Sequence, residues 1–261
     1  MLHATASGPP SAPTLVLLHG GGVAGWMWEQ HVAALQADYH CLVPDLPEHG
    51  QSQDAGPFAI NDAARQLAEL IHTRAHGGRA HLAGLSLGAQ VGVALLGLSP
   101  GLVDRAVFSG VLARRLPGAA LLGPSLRLYA PFKNHPALIR ANMRSLAVPA
   151  AYYEQFAADT RRASAASLTR LLTANQGFEI PLGLTRRQNP TLVLVGEKEP
   201  GLMKRSARAL AASLLGGRAL MVKGAVHNWP LVSPGLFVTL VQAWLTGSPL
   251  PEHQLAGVPR R

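Results

Sequence analysis

Residues 79–98 read RAHLAGLSLGAQVGVALLGL, a strand-forming apolar run followed directly by a helix-forming run. Between the two lies Gly84-Leu85-Ser86-Leu87-Gly88, which matches the pattern Gly-x-Ser-x-Gly. In a sharp strand-to-helix turn the serine adopts a strained backbone conformation, and the glycines leave room where Cβ atoms would collide with neighbouring elements. The N–H groups at the start of the helix then point to where negative charge develops. The pentapeptide predicts a nucleophile at Ser86, with a serine that merely caps the helix as the alternative.

Similar apolar runs recur along the chain and alternate with helical patterns. The predicted strands are residues 14–18, 39–43, 79–83, 102–108, 191–195 and 218–222, and the predicted helices are residues 26–37, 60–76, 86–98, 201–215 and 234–245. Short, almost wholly apolar strands that alternate with helices indicate an α/β fold with a mostly parallel, doubly wound sheet covered on both faces.

The alternation stops between residues 111 and 189, where helical patterns at 152–162 and 165–174 occur without a convincing strand. The sequence therefore predicts a core of residues 1–110 and 190–246, a helical insertion at 111–189, and a polar tail at 247–261 that we expect to be poorly ordered. With 48% hydrophobic and 14% charged residues, the 261-residue chain can bury a sizeable core.

The composition also limits the classes of function. The single cysteine, Cys41, rules out an internal disulfide framework and a multi-cysteine metal site, and no metal-binding motif is present, so we expect neither a metal nor another cofactor. No run of about 18 apolar residues and no signal-peptide pattern occur, which predicts a cytoplasmic protein without a membrane span.

The loop His19-Gly20-Gly21-Gly22 follows the first clear strand and could bring a backbone N–H close to a substrate. The same loop contains a complete Gly-x-Gly-x-x-Gly from Gly20 to Gly25, and Asp45 lies 20 residues beyond Gly25. This spacing is that of a dinucleotide-binding loop with its ribose-binding acid. An oxidoreductase is therefore an alternative, although it leaves Ser86 and a late histidine without a role.

His227 is the candidate base for a serine nucleophile. It follows the last predicted parallel strand, and loops after the carboxyl ends of parallel strands meet at the ligand crevice, the edge where Ser86 is also expected. The loop after strand 191–195 offers two carboxylates, Glu197 and Glu199, either of which could orient the imidazole. The order serine, acid, histidine is the one that this arrangement requires.

Taken together, these features resemble the α/β-hydrolase superfamily, over about residues 14–245. The resemblance is carried by His19-Gly20, Pro44-Asp45-Leu46-Pro47-Glu48-His49-Gly50-Gln51-Ser52, the turn around Ser86, Gly196 to Glu199, and His227. Family members have an acid three residues after the glycine that matches Gly196, so the resemblance favours Glu199 over Glu197. It also implies that residues 111–189 form a cap. Only 13 residues precede Thr14, so the sheet is expected to lack one of the usual two N-terminal strands.

The resemblance implies a serine hydrolase, carboxylesterase-like, that cleaves a carboxylic ester, lactone or related carbonyl compound through an acyl-enzyme on Ser86. His227 would be the general base and then the general acid, and Glu199 would hold it in place. The backbone N–H groups of Gly21 and Leu87 would form the oxyanion hole.

Other functions remain open on the same scaffold: a non-hydrolytic or C–C bond-cleaving enzyme, or a non-catalytic ligand-binding protein. Two aromatic residues are candidate substrate contacts, since Trp26 lies just past the glycine loop and Trp229 just past His227. The alternative for both is packing in the core.

Basic residues are concentrated in the insertion. The chain has a formal net charge of +9, and residues 111–190 contain 11 basic and three acidic residues, which leaves about neutrality for the rest. We expect a small-molecule substrate, and the basic insertion either favours an anionic one or docks on an acidic surface; the alternative is a set of solvated arginines on helix faces. No basic–aromatic motif points to nucleic acid as a partner.

Overall fold

The computed structural model describes residues 1–115, 122–184 and 189–259. Its strands form one eight-stranded sheet in the order β1-β3-β2-β4-β5-β6-β7-β8. Their bounds are β1 (Ala4–Ser7), β2 (Thr14–Leu18), β3 (His40–Pro44), β4 (Ala80–Leu85), β5 (Val103–Ser109), β6 (Thr191–Gly196), β7 (Gly217–Val222) and β8 (Leu255–Gly257). Strands β2 to β7 are parallel, and the two edge strands, β1 and β8, are antiparallel to their neighbours.

Helices cover both faces of the sheet, as predicted. Their bounds are α1 (Glu29–Leu35), α2 (Ile60–Arg74), α3 (Leu87–Leu98), α4 (Leu122–Tyr129), α5 (Pro136–Ser145), α6 (Tyr153–Arg162), α7 (Ala165–Gln176), α8 (Gly201–Ala212), α9 (Trp229–Val232) and α10 (Pro234–Thr246). Helices α2, α3 and α8 pack on one face, and α1 and α10 pack on the other.

Strand β2 shows why its sequence is apolar throughout. Leu15 and Leu17 point into the core beneath α1 and α10, whereas Val16 and Leu18 point into the core beneath α2 and α3. Successive side chains of a strand face opposite sides, so a strand covered on both sides must be apolar at every position.

The two ends of the chain form the edges of the sheet. A single strand, β1, precedes Thr14, which agrees with the prediction that a second N-terminal strand is missing. The expectation of a poorly ordered tail is wrong for residues 255–257, which form β8 and pair with β7, and Leu255 is buried there. The unpaired backbone groups of an exposed edge strand favour such pairing, which a hydrophobicity pattern alone does not reveal.

In the described part of the segment between β5 and β6, helices joined by turns and loops occur and no strand does. The segment contains α4 to α7, of which α6 and α7 match the predicted helical patterns and α4 and α5 were not predicted. Residues 111–189 are referred to as the insertion below. In the part of the chain that the structure describes, no helix is long and apolar enough to cross a bilayer.

Candidate active site

Ser86 sits in the sharp turn between β4 and α3. Its backbone has φ 52° and ψ −113°, a conformation that residues with a side chain rarely adopt. The turn is fixed from both sides, because Ser86 N–H donates to the Ser109 carbonyl of the neighbouring strand (2.8 Å) and Gln90 N–H donates to the Ser86 carbonyl (3.0 Å). Strain of this kind persists only where the surroundings impose it, and it is found mainly at functional sites.

The two flanking glycines have the steric role that the sequence predicts. A Cβ on Gly88 would lie 2.5 Å from the carbonyl oxygens of Leu18 and His19, and one on Gly84 would lie 3.0 Å from the Ala89 nitrogen. These contacts involve backbone atoms that cannot move aside. The glycines therefore allow α3 to approach β2 and β4 closely enough to form the turn.

A small cavity, the serine chamber, opens at the turn. Its volume is about 140 Å³, and its walls include Ser86, Gly21, Leu87 and His227. Four of the predicted site residues are thus brought together from three separate loops at the carboxyl edge of the sheet, the location that a doubly wound sheet favours for ligands.

The fifth predicted residue, Glu199, contacts the imidazole directly. His227 Nδ1 lies 2.7 Å from Glu199 Oε2, and the other carboxylate oxygen accepts from Gly196 N–H at 2.7 Å. The Glu199 side chain is only 1% exposed, whereas that of His227 is 36% exposed. Since a carboxylate oxygen accepts, Nδ1 donates this hydrogen bond, and Nε2 is left available as a proton acceptor.

Glu197 has a different contact. Its Oε2 accepts a hydrogen bond from Gly224 N–H at 2.7 Å on the exposed side of the loop. The contact with His227 therefore belongs to Glu199, which is the residue that the family resemblance favours, and Glu197 ties two surface loops together.

Gly110 supports the imidazole and was missed by the sequence analysis. It follows β5 with φ 63°, and a Cβ there would lie 2.7 Å from Cε1 and 2.9 Å from Nδ1 of His227. The ring thus rests on the bare Cα of Gly110. The only signal in the sequence is the Ser109-Gly110 pair at the end of a buried strand, which by itself predicts a turn.

His19 positions the glycine loop. It is fully buried, its Nε2 accepts from Leu46 N–H (2.9 Å), and its Nδ1 therefore donates to the Gly20 carbonyl (2.7 Å). Burial lowers the pKa of His19 to about 3, so the ring is neutral and holds this tautomer. Because the Gly20–Gly21 peptide is trans, fixing its carbonyl on one side turns Gly21 N–H to the other.

Asp45 is used as a structural anchor. Its two carboxylate oxygens accept from Gly25 N–H and Gln51 N–H, each at 2.8 Å, and the residue is 7% exposed. Gly50 packs so closely that its Cβ would lie 2.3 Å from Asp45 Oδ2. A ribose-binding acid needs oxygens free for the sugar hydroxyls. Because both oxygens of Asp45 are engaged within the protein, this residue does not serve as the ribose-binding acid that a dinucleotide-binding oxidoreductase would need.

A second and larger cavity, the insertion chamber, lies beside the serine chamber. Its volume is about 350 Å³, and it is enclosed by residues of the loop 48–53 and of helices α4 to α7. The two chambers share the side chains of Leu146, Leu171 and Leu172 as walls.

The structure corrects the prediction that Trp26 and Trp229 line the cleft. Trp26 Nε1 donates to Asp159 Oδ2 (2.7 Å), and Trp229, which is 2% exposed, donates from Nε1 to Ser109 Oγ (2.9 Å). Neither indole is among the described residues that line the two chambers. A buried indole N–H requires an acceptor. Both find one within the protein, so Trp26 joins the core to the insertion and Trp229 packs beneath the His227 loop.

Comparison with known proteins gives a consistent result. A model of the alpha/beta hydrolase family matches residues 15–240. An AB hydrolase superfamily protein of Gibberella zeae is 28% identical over 93% of this chain and 83% of its own length. The (E)-2-((N-methylformamido)methylene)succinate hydrolase of Acinetobacter baylyi is 27% identical over 90% of this chain and 91% of its own. A solved hydrolase structure from Pseudomonas aeruginosa PA01 covers 94% of both chains with a TM-score of 0.77 and 24% identity, a likeness of fold.

Proposed function

Because the chain belongs to the alpha/beta hydrolase family and is an enzyme of that family, we propose that it is a serine hydrolase acting on an ester, lactone or related acyl compound. The observation that carries the proposal is the 2.7 Å contact between Glu199 and His227, whose ring lines the same chamber as the strained Ser86. An orienting acid, a base with a free Nε2 and a nucleophile at one cavity are the parts that acyl transfer requires.

In the proposed reaction Ser86 Oγ attacks the acyl carbon while its proton passes to Nε2 of His227. Glu199 keeps Nδ1 protonated and stabilises the imidazolium that forms. The tetrahedral intermediate collapses, the alcohol leaves with the proton from Nε2, and the acyl group stays on Ser86. Water then attacks the acyl-enzyme with His227 again acting as base and then as acid, which releases the carboxylic acid.

The oxyanion would be held by two backbone donors, Leu87 N–H at the first turn of α3 and Gly21 N–H in the glycine loop. The hydrogen bond from His19 to the Gly20 carbonyl supports this role for Gly21, since it turns the adjacent N–H away from that carbonyl. Loss of one such donor typically costs about 2.7–4 kcal/mol of transition-state stabilisation.

The insertion would act as a cap over this site. Leu171 of α7 is near the glycine loop, since a Cβ on Gly21 would lie 3.2 Å from its Cδ2. Two further contacts tie the insertion to the core: Gln30 donates to the Tyr152 hydroxyl (3.0 Å), and Arg170 pairs with Glu48. A small-molecule substrate would then react in the space enclosed between core and cap.

Labelling with a fluorophosphonate tests the proposal. We expect the folded protein to take up one phosphonyl group, and peptide mass spectrometry to place it on Ser86, because these reagents react with an activated serine and not with an ordinary hydroxyl. Heat-denatured protein and the Ser86→Ala variant should remain unlabelled. Absence of labelling in folded protein, or a label on a different serine, would contradict the proposed nucleophile.

Replacing Gly110 by alanine should impair the reaction through the position of His227. The added Cβ would force the ring away from Glu199, and a misplacement of about 1 Å can cost about 10²-fold in rate. We therefore expect a loss of this order in kcat/KM for p-nitrophenyl esters. Gly77→Ala is the matched control, because Gly77 has almost the same backbone angle (φ 64°) with nothing within 4 Å of its Cβ position, and it should leave the rate unchanged. Equal activity of both variants would exclude the supporting role of Gly110.

A further inference from the structure

Among the described residues that line the insertion chamber, one is a buried cation. Lys133 is 7% exposed and lines the chamber. The other basic residues of the insertion whose exposure the structure describes are exposed: Arg114, Arg115, Arg140, Arg144, Arg161, Arg162 and Arg170. Burial of a long charged side chain is costly, and such residues are almost never fully buried unless they are paired. The position of Lys133 therefore calls for a physical reason.

The partners of Lys133 are oxygens without charge. Nζ donates to the carbonyl of Thr160, to the carbonyl of Arg161 (3.0 Å) and to Asn134 Oδ1 (2.9 Å). The two carbonyls belong to the last turn of α6 and hold the ammonium in place. No carboxylate of the described residues lies within 4.0 Å of Nζ. Asn134 is an exposed residue, so its amide is the partner that can rotate away when a stronger acceptor arrives.

The carboxylates that line the chamber are each engaged with an arginine. Glu48 accepts from Arg170 through both of its oxygens, and Asp159 lies 3.5 Å from Arg162 through Oδ1. Each of these two carboxylates is offset by the positive charge of its arginine. Among the described lining residues, the ammonium of Lys133 is then the charge that has no partner of opposite sign. A chamber of low polarity with one unpaired cation attracts an anion.

From this arrangement we propose that the substrate carries a carboxylate on the arm that enters the insertion chamber, and that Lys133 determines the preference for it. The rest of the arm would contact apolar walls that include Leu146, Phe156 and Leu171. The carboxylate would replace Asn134 as the third acceptor of Nζ, and a charge-assisted hydrogen bond is stronger than the neutral one that it replaces. This inference rests on the proposed function, since it assigns the arm of a substrate that reacts at Ser86.

Two matched pairs of esters test the inference. In the acyl arm, the p-nitrophenyl hemiester of glutarate is compared with p-nitrophenyl 5-methylhexanoate, whose isopropyl end has the shape of a carboxylate. In the alcohol arm, 4-acetoxybutyrate is compared with 4-methylpentyl acetate, with proton release as the measurement. We expect the wild type to prefer the carboxylated ester of at least one pair by about 10- to 100-fold in kcat/KM, the range for a hydrogen bond to a charged group.

Lys133→Met should abolish that preference, mainly through KM, while the neutral ester retains its rate. Arg144→Met is the control for general electrostatic attraction, because it removes the same charge from an exposed position and should leave the preference within about twofold. A second measurement uses the wild-type enzyme alone, so it stays informative even if Lys133→Met does not fold. In it, glutarate should inhibit more strongly than glutaramide, which has the same shape without the charge.

Four results would overturn the inference: no preference in either pair for the wild type, a preference that survives in Lys133→Met, an equal loss on both esters in Lys133→Met, or equal inhibition by glutarate and glutaramide. An equal loss on both esters would mean that Lys133 only caps α6. Failure of the proposed function is distinguishable, because none of the four esters would then be hydrolysed and Ser86 would not be labelled by the fluorophosphonate.

Discussion

Replacing Ser86 by alanine is expected to lower kcat for ester hydrolysis by about 10⁴- to 10⁶-fold, the range seen when a nucleophile that works with a histidine is removed. His227 and the backbone donors remain in place in this variant, so the residual rate should stay above that of the uncatalysed reaction. Initial rates with a p-nitrophenyl ester measure the effect, and the variant must be expressed free of wild-type enzyme for so large a ratio to be read.

The same position provides a test of the backbone strain. Ser86 has φ 52° with ψ −113°, which alanine tolerates no better than serine and which glycine adopts freely. Ser86→Gly should therefore be inactive like Ser86→Ala but more stable than Ser86→Ala, because relief of about 1–3 kcal/mol of strain outweighs the ~0.4–1 kcal/mol that the added flexibility of the unfolded chain costs. Thermal unfolding of the two variants measures the difference. Substantial activity in either variant would contradict the assignment of Ser86 as the nucleophile.

The central part of the fold could be predicted from sequence because its signals are local. Strands β2, β3 and β6 are buried at every position and β4 and β5 at most positions, so each appears as a short, mainly hydrophobic run. The turn at Ser86 likewise depends on five consecutive residues, and the space for α3 requires glycine at two of them. The edge strands β1 and β8 have no such signal. Their pairing depends on the free edges of strands that lie elsewhere in the chain.

The nearness of the candidate site residues could be predicted where it depends on the topology of the sheet. A serine in the turn, a histidine after the last parallel strand and an acid before it follow from the topology of the sheet. Contacts between distant segments of the chain do not follow from the topology. Gly110 lies under the His227 ring, and Trp26 bonds to Asp159, which is 133 residues further along the chain. Trp26 and Trp229 are candidate substrate contacts only because they follow site residues in sequence, and neighbours in sequence need not line the same cavity.

Which basic residue of the insertion is buried also depends on contacts between distant segments, so the sequence does not reveal it. The sequence places 11 basic residues between residues 111 and 190, with nothing to distinguish them. The structure distinguishes Lys133 from the arginines of the insertion whose exposure it describes, because its Nζ reaches the end of α6, 27 and 28 residues further along the chain. Of the basic residues whose exposure the structure describes in this segment, Lys133 is buried against the insertion chamber and the arginines are exposed to solvent.

The two glutamates of the loop after β6 give a sharp test of the site. They are two residues apart, but only Glu199 contacts His227, whereas Glu197 accepts from Gly224 N–H. Glu199→Gln should reduce kcat by about 10³- to 10⁴-fold, because an amide in place of the carboxylate no longer stabilises the imidazolium and can favour the wrong tautomer of His227. Glu197→Gln should change the rate by less than about threefold, because its exposed contact is a hydrogen bond from Gly224 N–H that the amide oxygen can still accept.

Thermal unfolding, measured beside the rate, separates a role of Glu199 in orienting His227 from general damage to the loop. Glu199 also accepts from Gly196 N–H, so both variants are compared for thermal unfolding as well as for rate. If Glu199 acts by holding the imidazole, kcat should fall in Glu199→Gln by far more than any change in its unfolding temperature explains, and neither quantity should change much in Glu197→Gln. A large loss in Glu197→Gln with little loss in Glu199→Gln would instead place the functional acid two residues earlier. The 2.7 Å contact with His227 would then have only a structural role.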